Sequence, residues 1–455
     1  MDTSDKKPSA PAPESRFTVS PMTLAADRWM GRLIRFGGVG VVLAVFGMLA
    51  FLIFQVFPLF IGATVAPISA LTVPATAMGF GEDEYGELPF VVLADGSMVF
   101  QRSKDGTKFL DWAPSLGNRR VSSVKSYPRT GLVFLGLSDG TVMEVRVSYR
   151  STFDAAGKRT IEPSVAALEP VAIGKPGLPC VDVWNAKGSR SRLLLVRQED
   201  NGKPLLTAVR LTERKGLGGK ARVVASDPFV VAADATSISQ ILLPSTAESL
   251  IVVGKSGEVR AYADDGANFS FLQSFLPFKE SRDPAVSSAG LIFGNVSVVF
   301  VSRAGEQQVW SMYPQLQPDG KSLRRWGKIH DGELLAGAGE GVYAAEGNKC
   351  YLAVAGGRLQ LRNMTTGTLR WEGEAPAGSI RQVAFSGNYD RFTALSADGK
   401  LHRWNVLTLR SAMGTSSAPS AFGSAAPSAF GSAPNAASSV ALMMTSCVNT
   451  DMSDA

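Results

Sequence analysis

Two histidines and three cysteines are all that 455 residues offer of the side chains most used for metal binding and nucleophilic chemistry. His330 and His402 stand far apart, with no Cys, His or carboxylate beside them at ligand spacing, which argues against zinc. Cys180, Cys350 and Cys447 are widely separated and form no Cys-x-x-Cys pair. A Cys180–Cys350 disulfide fits an oxidising compartment, but spacing alone does not support it, and buried thiols are the default. No Gly-x-Ser-x-Gly elbow marks a nucleophile. Lys215-Gly216-Leu217-Gly218-Gly219-Lys220-Ala221 resembles half a phosphate loop, yet Arg214 stands in place of its upstream glycine and Ala221 in place of the magnesium-binding hydroxyl. It reads as a flexible basic loop. The Asp-Gly turns lack the carboxylate ladder and closing Glu of a calcium loop. The sequence therefore yields no catalytic residue, no cofactor-binding residue and no metal ligand, and the chain reads as a non-enzyme.

Charge is missing from a second place. No charged residue lies between Arg35 and Glu82. The first part of that gap, Phe36 to Phe57, spans roughly 33 Å as a helix, against a hydrocarbon core of about 30 Å. A cleavable signal would have a shorter apolar region and a small-residue site close behind it. Here bulky Phe57, Pro58, Leu59, Phe60 and Ile61 follow. The segment thus reads as an uncleaved single-span anchor. Gly40 and Gly47, seven apart, would suit one helix face, although glycines are common in membrane helices in any case. Arg16, Arg28, Arg32 and Arg35 precede the span and the next basic residue is Arg102. By the positive-inside rule the N-terminus is cytoplasmic and everything after Pro58 is exported.

The formal net charge of +6 raises nucleic acid as a partner. The cations are scattered and form no stripe with interleaved aromatics, so a basic solvated surface facing an anionic envelope is the better reading.

Five regions follow. Residues 1–26 read as a disordered cytoplasmic tail, 27–61 as a basic collar with Trp29 plus the membrane helix, and 62–87 as a small-residue linker interrupted by Pro67 and Pro74. From 88 to 406 one unit recurs: an apolar β-rich run, a tight turn with Gly, and a second alternating run. Clear copies turn at Asp95-Gly96, Asp139-Gly140, Ser256-Gly257 and Asp398-Gly399, weaker ones at Asn201-Gly202, Ala304-Gly305 and Gly356-Gly357. Such dipeptides predict type I′ hairpins, which need positive φ at both central residues. Recurrence every 40–60 residues, without any long amphipathic helix, predicts an all-β fold: a WD40-like β-propeller of about seven blades behind one transmembrane α-helix. Six and eight blades are the neighbouring counts, because the copy at Gly202 is poor and 150–185 irregular. Paired β-sandwiches are the runner-up fold. Residues 407–455 are Ser/Ala/Gly/Pro-rich with an imperfect octapeptide repeat and read as a disordered tail.

Trp112, Trp184, Trp310, Trp371 and Trp404 fall once or less per unit and suit packing between blades. Trp326, beside Arg324, Arg325 and Lys328, reads as a solvated turn or a basic–aromatic contact site.

Two stretches carry a resemblance. The basic collar and helix end in Phe57-Pro58-Leu59-Phe60-Ile61-Gly62-Ala63, and the propeller region closes on His402-Arg403-Trp404-Asn405-Val406. Together, over residues 27–406, they resemble the N-terminal half of the long PstC-type permease subunit of phosphate ABC transporters. The resemblance implies a periplasmic insertion behind a first helix, partnered by other phosphate-transporter subunits. It also implies further helices after Val406, where the low-complexity tail stands, so that a truncated or frame-shifted gene is expected. Three functions are then in play: a permease-derived anchor with a regulatory or interaction role, an independent membrane-tethered scaffold for envelope protein assembly, and, least supported, an enzyme.

Overall fold

The computed structural model describes residues 20–56 and 64–407, apart from 154, 156, 158, 189–190, 216–220, 232–236, 317–321, 336–338, 346–349 and 388. Most of the expected N-terminal tail, the Phe57–Ala63 exit and the expected C-terminal tail lie outside the described residues, as do Cys447 and the centre of the Lys215–Ala221 loop.

A single helix, Pro21–Val56, precedes the strands. Ser20 caps it, with its Oγ accepting from Met22 N–H at 3.3 Å, and Pro21 occupies the first turn, where a missing N–H is harmless. The helix therefore runs through the collar that the sequence sets apart from the span. Its apolar side chains, among them Phe36, Leu43 and Phe46, are exposed. Pro21–Ile53 is long and apolar enough to cross a membrane, and none of its most apolar window is buried.

The remaining elements form seven sheets. Each is an antiparallel blade whose strands we call a to d. Blade 1 is Ala77–Gly81, Phe90–Leu93, Met98–Gln101 and Lys108–Trp112. Blade 2 is Val121–Tyr127, Leu132–Leu137, Thr141–Phe153 and Arg159–Ala167, with Val171–Ala172 added beside strand c. In blade 3 Asp182–Lys187, Arg192–Asp200 and Lys203–Lys215 are followed by Ala221–Ala225 and Phe229–Val231, which share the outer edge. Blade 4 is Ile238–Leu242, Ser249–Gly254, Val259–Asp264 and Phe269–Phe275; blade 5 is Val286–Ile292, Ser297–Ser302, Gln307–Leu316 and Ser322–Gly332. Blade 6 comprises Gly339–Ala345, Cys350–Ala355, Arg358–Asn363 and Leu369–Glu374. Blade 7 takes Ile380–Phe385, Arg391–Ser396 and Lys400–Leu407 from the end of the described chain and its strand d, Thr64–Thr72, from the beginning. The fold is a seven-bladed propeller.

That last pairing, from Thr64 opposite Leu407 to Thr72 opposite Lys400, corrects the expected linker 62–87. Pro67 misled the reading. It sits on an edge strand beside a register shift, where its absent N–H removes no ladder bond. Ala77–Gly81 is likewise the first strand of blade 1.

All seven turn glycines expected from the sequence fall between strands b and c, and each has positive φ, from 73° at Gly357 to 88° at Gly257. Only Asn201-Gly202 and Gly356-Gly357 have it at both positions, as a type I′ turn requires. The other five differ because a third residue joins the loop. In blade 1 Gly96 N–H donates to Leu93 C=O at 2.9 Å and Leu93 N–H to Ser97 C=O at 2.8 Å, a type I turn closed by a left-handed glycine. Asp95 stabilises it by accepting from the N–H and hydroxyl of Ser97, and Asp139 does the same with Thr141.

Seven buried apolar clusters hold the ring, one at each junction between neighbouring blades. Strands b supply the largest share of them, which is why those strands read as unbroken Val/Leu/Phe runs. Trp112, Trp184, Trp310 and Trp371 pack against these clusters, and Trp404 stacks on Phe392 at 4.7 Å. Trp326 corrects its expectation. It is only 2% exposed and belongs to the core between blades 4 and 5. Cys180 lies in the junction of blades 2 and 3 and Cys350 beside that of blades 6 and 7, so the two do not bridge.

Candidate docking face

Strand direction divides the ring into two faces. One carries the b–c turns and the connections from strand d to the next strand a; we call it the turn face. The other carries the a–b loops and c–d turns. Thr64, the first residue of the closing strand, lies opposite Leu407 and so enters on this second face, the anchor face.

At the turn face the first strands share a distortion. In blades 1, 2, 4, 5, 6 and 7 the register of strand a shifts one residue after its start, making Met78, Ser122, Ser239, Ser287, Glu340 and Arg381 the extra residues. Such bulges re-aim a side chain at the rim of a sheet. Three of them bond to carbonyls at the rim. Ser122 Oγ donates to Gly136 C=O and Cys180 C=O, Ser287 Oγ to Val301 C=O and Ser302 C=O, and Arg381 Nη1 to the carbonyls of Ala75 and Ala77.

Deeper inside, amides link the first strands. Gln382 accepts from Phe80 N–H and Ser126 Oγ, and Gln240 exchanges two hydrogen bonds with the Ala289 backbone. Lys125, on strand a of blade 2, keeps water-accessible surface although the blades crowd it closely. That crowding pushes its ammonium below the ordinary lysine value, against the raising influence of Asp182. Burial raises Asp182 in turn, opposed by Arg197 at 2.8 Å.

Around the rim, three ion pairs join a b–c turn to the connection beside it: Arg119–Asp139 at 2.8 Å, Lys175–Asp200 at 2.7 Å and Arg303–Asp283 at 3.8 Å. Each is partly solvated and worth little alone; together they fix the loops of one face. On the connections after blades 4 and 5 Leu276 and Leu334 are exposed, as is Met78 at the rim.

His330 lies half-buried on the outer strand of blade 5, and His402 on strand c of blade 7, stacked on Trp404 at 5.8 Å. The fold keeps them apart. Among the described residues no group of three or more His, Cys, Asp or Glu is placed to hold a metal ion. Leu276 and Leu334 carried no signal in the sequence, because only the ring brings residues this distant onto one face.

No family model matches the chain, and no curated protein does. Among solved structures, a chain of the crystal structure of the mitotic checkpoint complex is similar at 11% identity, covering 75% of this chain and 96% of that one, with a TM-score of 0.49. The β-propeller domain of Myceliophteria thermophila Cps50 (Swd1) is similar at 12% identity, covering 76% and 100%, with a TM-score of 0.47. These likenesses concern fold, and the propeller rests on the sheet topology itself.

The resemblance to the PstC-type permease is overturned. Such a permease is a multi-span helical membrane protein, whereas the described residues hold one membrane-length helix and seven β-sheets. Of the residues that carried the resemblance, Phe57–Ala63 lie outside the described residues. His402–Val406 are explained by blade packing, since Trp404 and Val406 fill the junction of blades 6 and 7.

Proposed function

We propose that this chain is a membrane-anchored scaffold whose propeller presents its turn face to a protein partner. The observation that carries the reading is the point of entry. The apolar helix leads, through residues 57–63, into a strand that starts on the anchor face, so the opposite face is directed away from the membrane. The exposed leucines and paired loop charges described above lie on that distal face. The arginines before the span favour a cytoplasmic N-terminus and a periplasmic propeller at a bacterial inner membrane. The partner is then an envelope protein, and the role assembly or regulation without catalysis.

Photo-crosslinking in intact cells tests this. A photoreactive residue at 276 or 334 should give discrete protein adducts, whereas one at 265, on the anchor face, should not. Equal adducts from both faces, or none from either, would overturn the reading.

A further inference from the structure

Strands a of neighbouring blades pack against one another, as between blades 1 and 2, 2 and 3, and 7 and 1, so these strands line the axis of the ring. One cation stands on them without a counter-charge. Lys125, fifth in strand a of blade 2, is exposed, and on an innermost strand that surface belongs to the axial channel. Among the described residues no acid forms an ion pair with its ammonium. Asp182, the acid that influences it, is already paired with Arg197 at 2.8 Å. A cation walled in by protein and left uncompensated is costly.

The register shows what surrounds it. Lys125 lies opposite Phe134 and Asn185 opposite Leu194, and Phe134 and Leu194 share the buried cluster at the junction of blades 2 and 3. Cross-strand partners lie on one face of a sheet, so Lys125 and Asn185 enter that junction from its two sides. Tyr127, two residues beyond Lys125, shares its face and packs on the same cluster. The Tyr127 hydroxyl accepts from Asn185 N–H at 2.7 Å, and burial pushes it up to about 12, so it keeps its proton. That proton has no acceptor among the described residues. Asn185 Oδ1 is buried and has no hydrogen-bond partner among them either. Half a turn about the last side-chain bond places the amide NH₂ there instead. An ammonium, a phenolic proton and an amide then meet at the inner end of one junction: three donors and no free acid.

We infer that the inner end of the blade 2–blade 3 junction binds a small oxyanion, a carboxylate or a phosphate, between Lys125, Tyr127 and Asn185. Hydrogen bonds from such donors to an ionised oxygen are the strong ones, and the anion supplies the missing counter-charge. Two observations set the size. Gln382 of blade 7 reaches past Gly79 of blade 1 to Ser126 of blade 2, accepting from its Oγ at 2.7 Å and donating to its C=O at 3.1 Å. Side chains thus partly fill the axis beside the site, which suits a small ligand and not a polypeptide segment. Lys125 also stands roughly 13 Å along its strand from the turn face, beyond the reach of one acidic side chain presented there. The site is therefore separate from whatever protein docks on that face.

The test uses the full chain in detergent micelles, titrated with sodium succinate or sodium phosphate at constant ionic strength, with sodium chloride as reference. At least one oxyanion should raise the melting temperature saturably, by about 2 °C or more over chloride. A rise with succinate alone assigns a carboxylate ligand, and a rise with phosphate alone assigns a phosphate. Lys125→Met should abolish the rise and melt no lower than the parent in chloride, whereas Lys279→Met, at an exposed lysine outside the channel, should keep it. Tyr127→Phe preserves the packing and should weaken the dissociation constant about three- to tenfold. No rise with either oxyanion overturns the inference, as does a rise undiminished in Lys125→Met. Should Lys125→Met fail to fold, Tyr127→Phe decides, and an unchanged dissociation constant overturns the site.

Discussion

Glu82, in the first blade, lies 3.4 Å from the guanidinium of Arg391 in the last, and both side chains are nearly shut off from water. The pair spans the junction between blades 7 and 1, beside the blade that the two ends of the propeller complete together. Burial is the largest influence on Glu82 and raises its carboxyl above the ordinary value, against the lowering pull of Arg391 and Arg403.

A raised carboxyl has a definite sign. Between the ordinary value of 4.5 and the raised one, the folded chain keeps a proton that the unfolded chain has lost. The contribution of Glu82 to stability is therefore full below the ordinary value and declines as pH rises through the folded one. Glu82→Gln cannot ionise, so it should gain on the parent protein as pH climbs from 4 towards 7. Denaturant melts at a series of pH values check this, and a gain in the opposite direction refutes it.

Leu71 tests the closure. It is 6% exposed, on the strand that completes blade 7, and packs with Val73, Phe80 and Leu395. Leu71→Ala should cost about 2–5 kcal/mol in chemical denaturation. A residue in a solvated linker would cost less than about 0.5 kcal/mol.

Two turn glycines separate backbone strain from crowding. Gly202 has φ of 76° and open space where a Cβ would stand, so Gly202→Ala should cost about 1–2 kcal/mol. Gly257 has φ of 88°, and its Cβ would meet the Pro284 carbonyl at 2.0 Å. Gly257→Ala should cost roughly 1–3 kcal/mol more, because backbone must move. Equal losses for the two would remove the crowding account.

Trp326→Ala should cost about 3–5 kcal/mol by the same melts, as expected for a tryptophan emptied from a core. A surface contact residue would leave stability almost unchanged.

The propeller was legible because each blade must make the same hairpin, and glycine alone enters a left-handed turn without strain; Gly96, Gly140 and Gly257 mark it plainly. Turn type was not legible, because the hydrogen bond from Leu93 N–H to Ser97 C=O depends on how far the ladder runs. Thr64–Thr72 was lost for a related reason. An edge strand needs only one partner, tolerates Pro67, and pairs with residues more than 300 positions away. Trp326 misled because Arg324 and Arg325 beside it are exposed, while alternation along a strand turns Trp326 inward. The face that carries Leu276 and Leu334 has no linear signature at all.

The strand Thr64–Thr72 leaves the ribosome among the first propeller residues and finds its partner, Lys400–Leu407, among the last. At about 5–20 residues per second, that partner emerges roughly 20–60 s later. Over this interval the closing strand waits with one edge unpaired. A nascent chain stalled before residue 400 displays the open edges of an incomplete ring, and these are sites where strands of other molecules add. Ring completion thus waits until blade 7 has been made, and protection of the waiting strand is a demand this topology places on the cell that makes it.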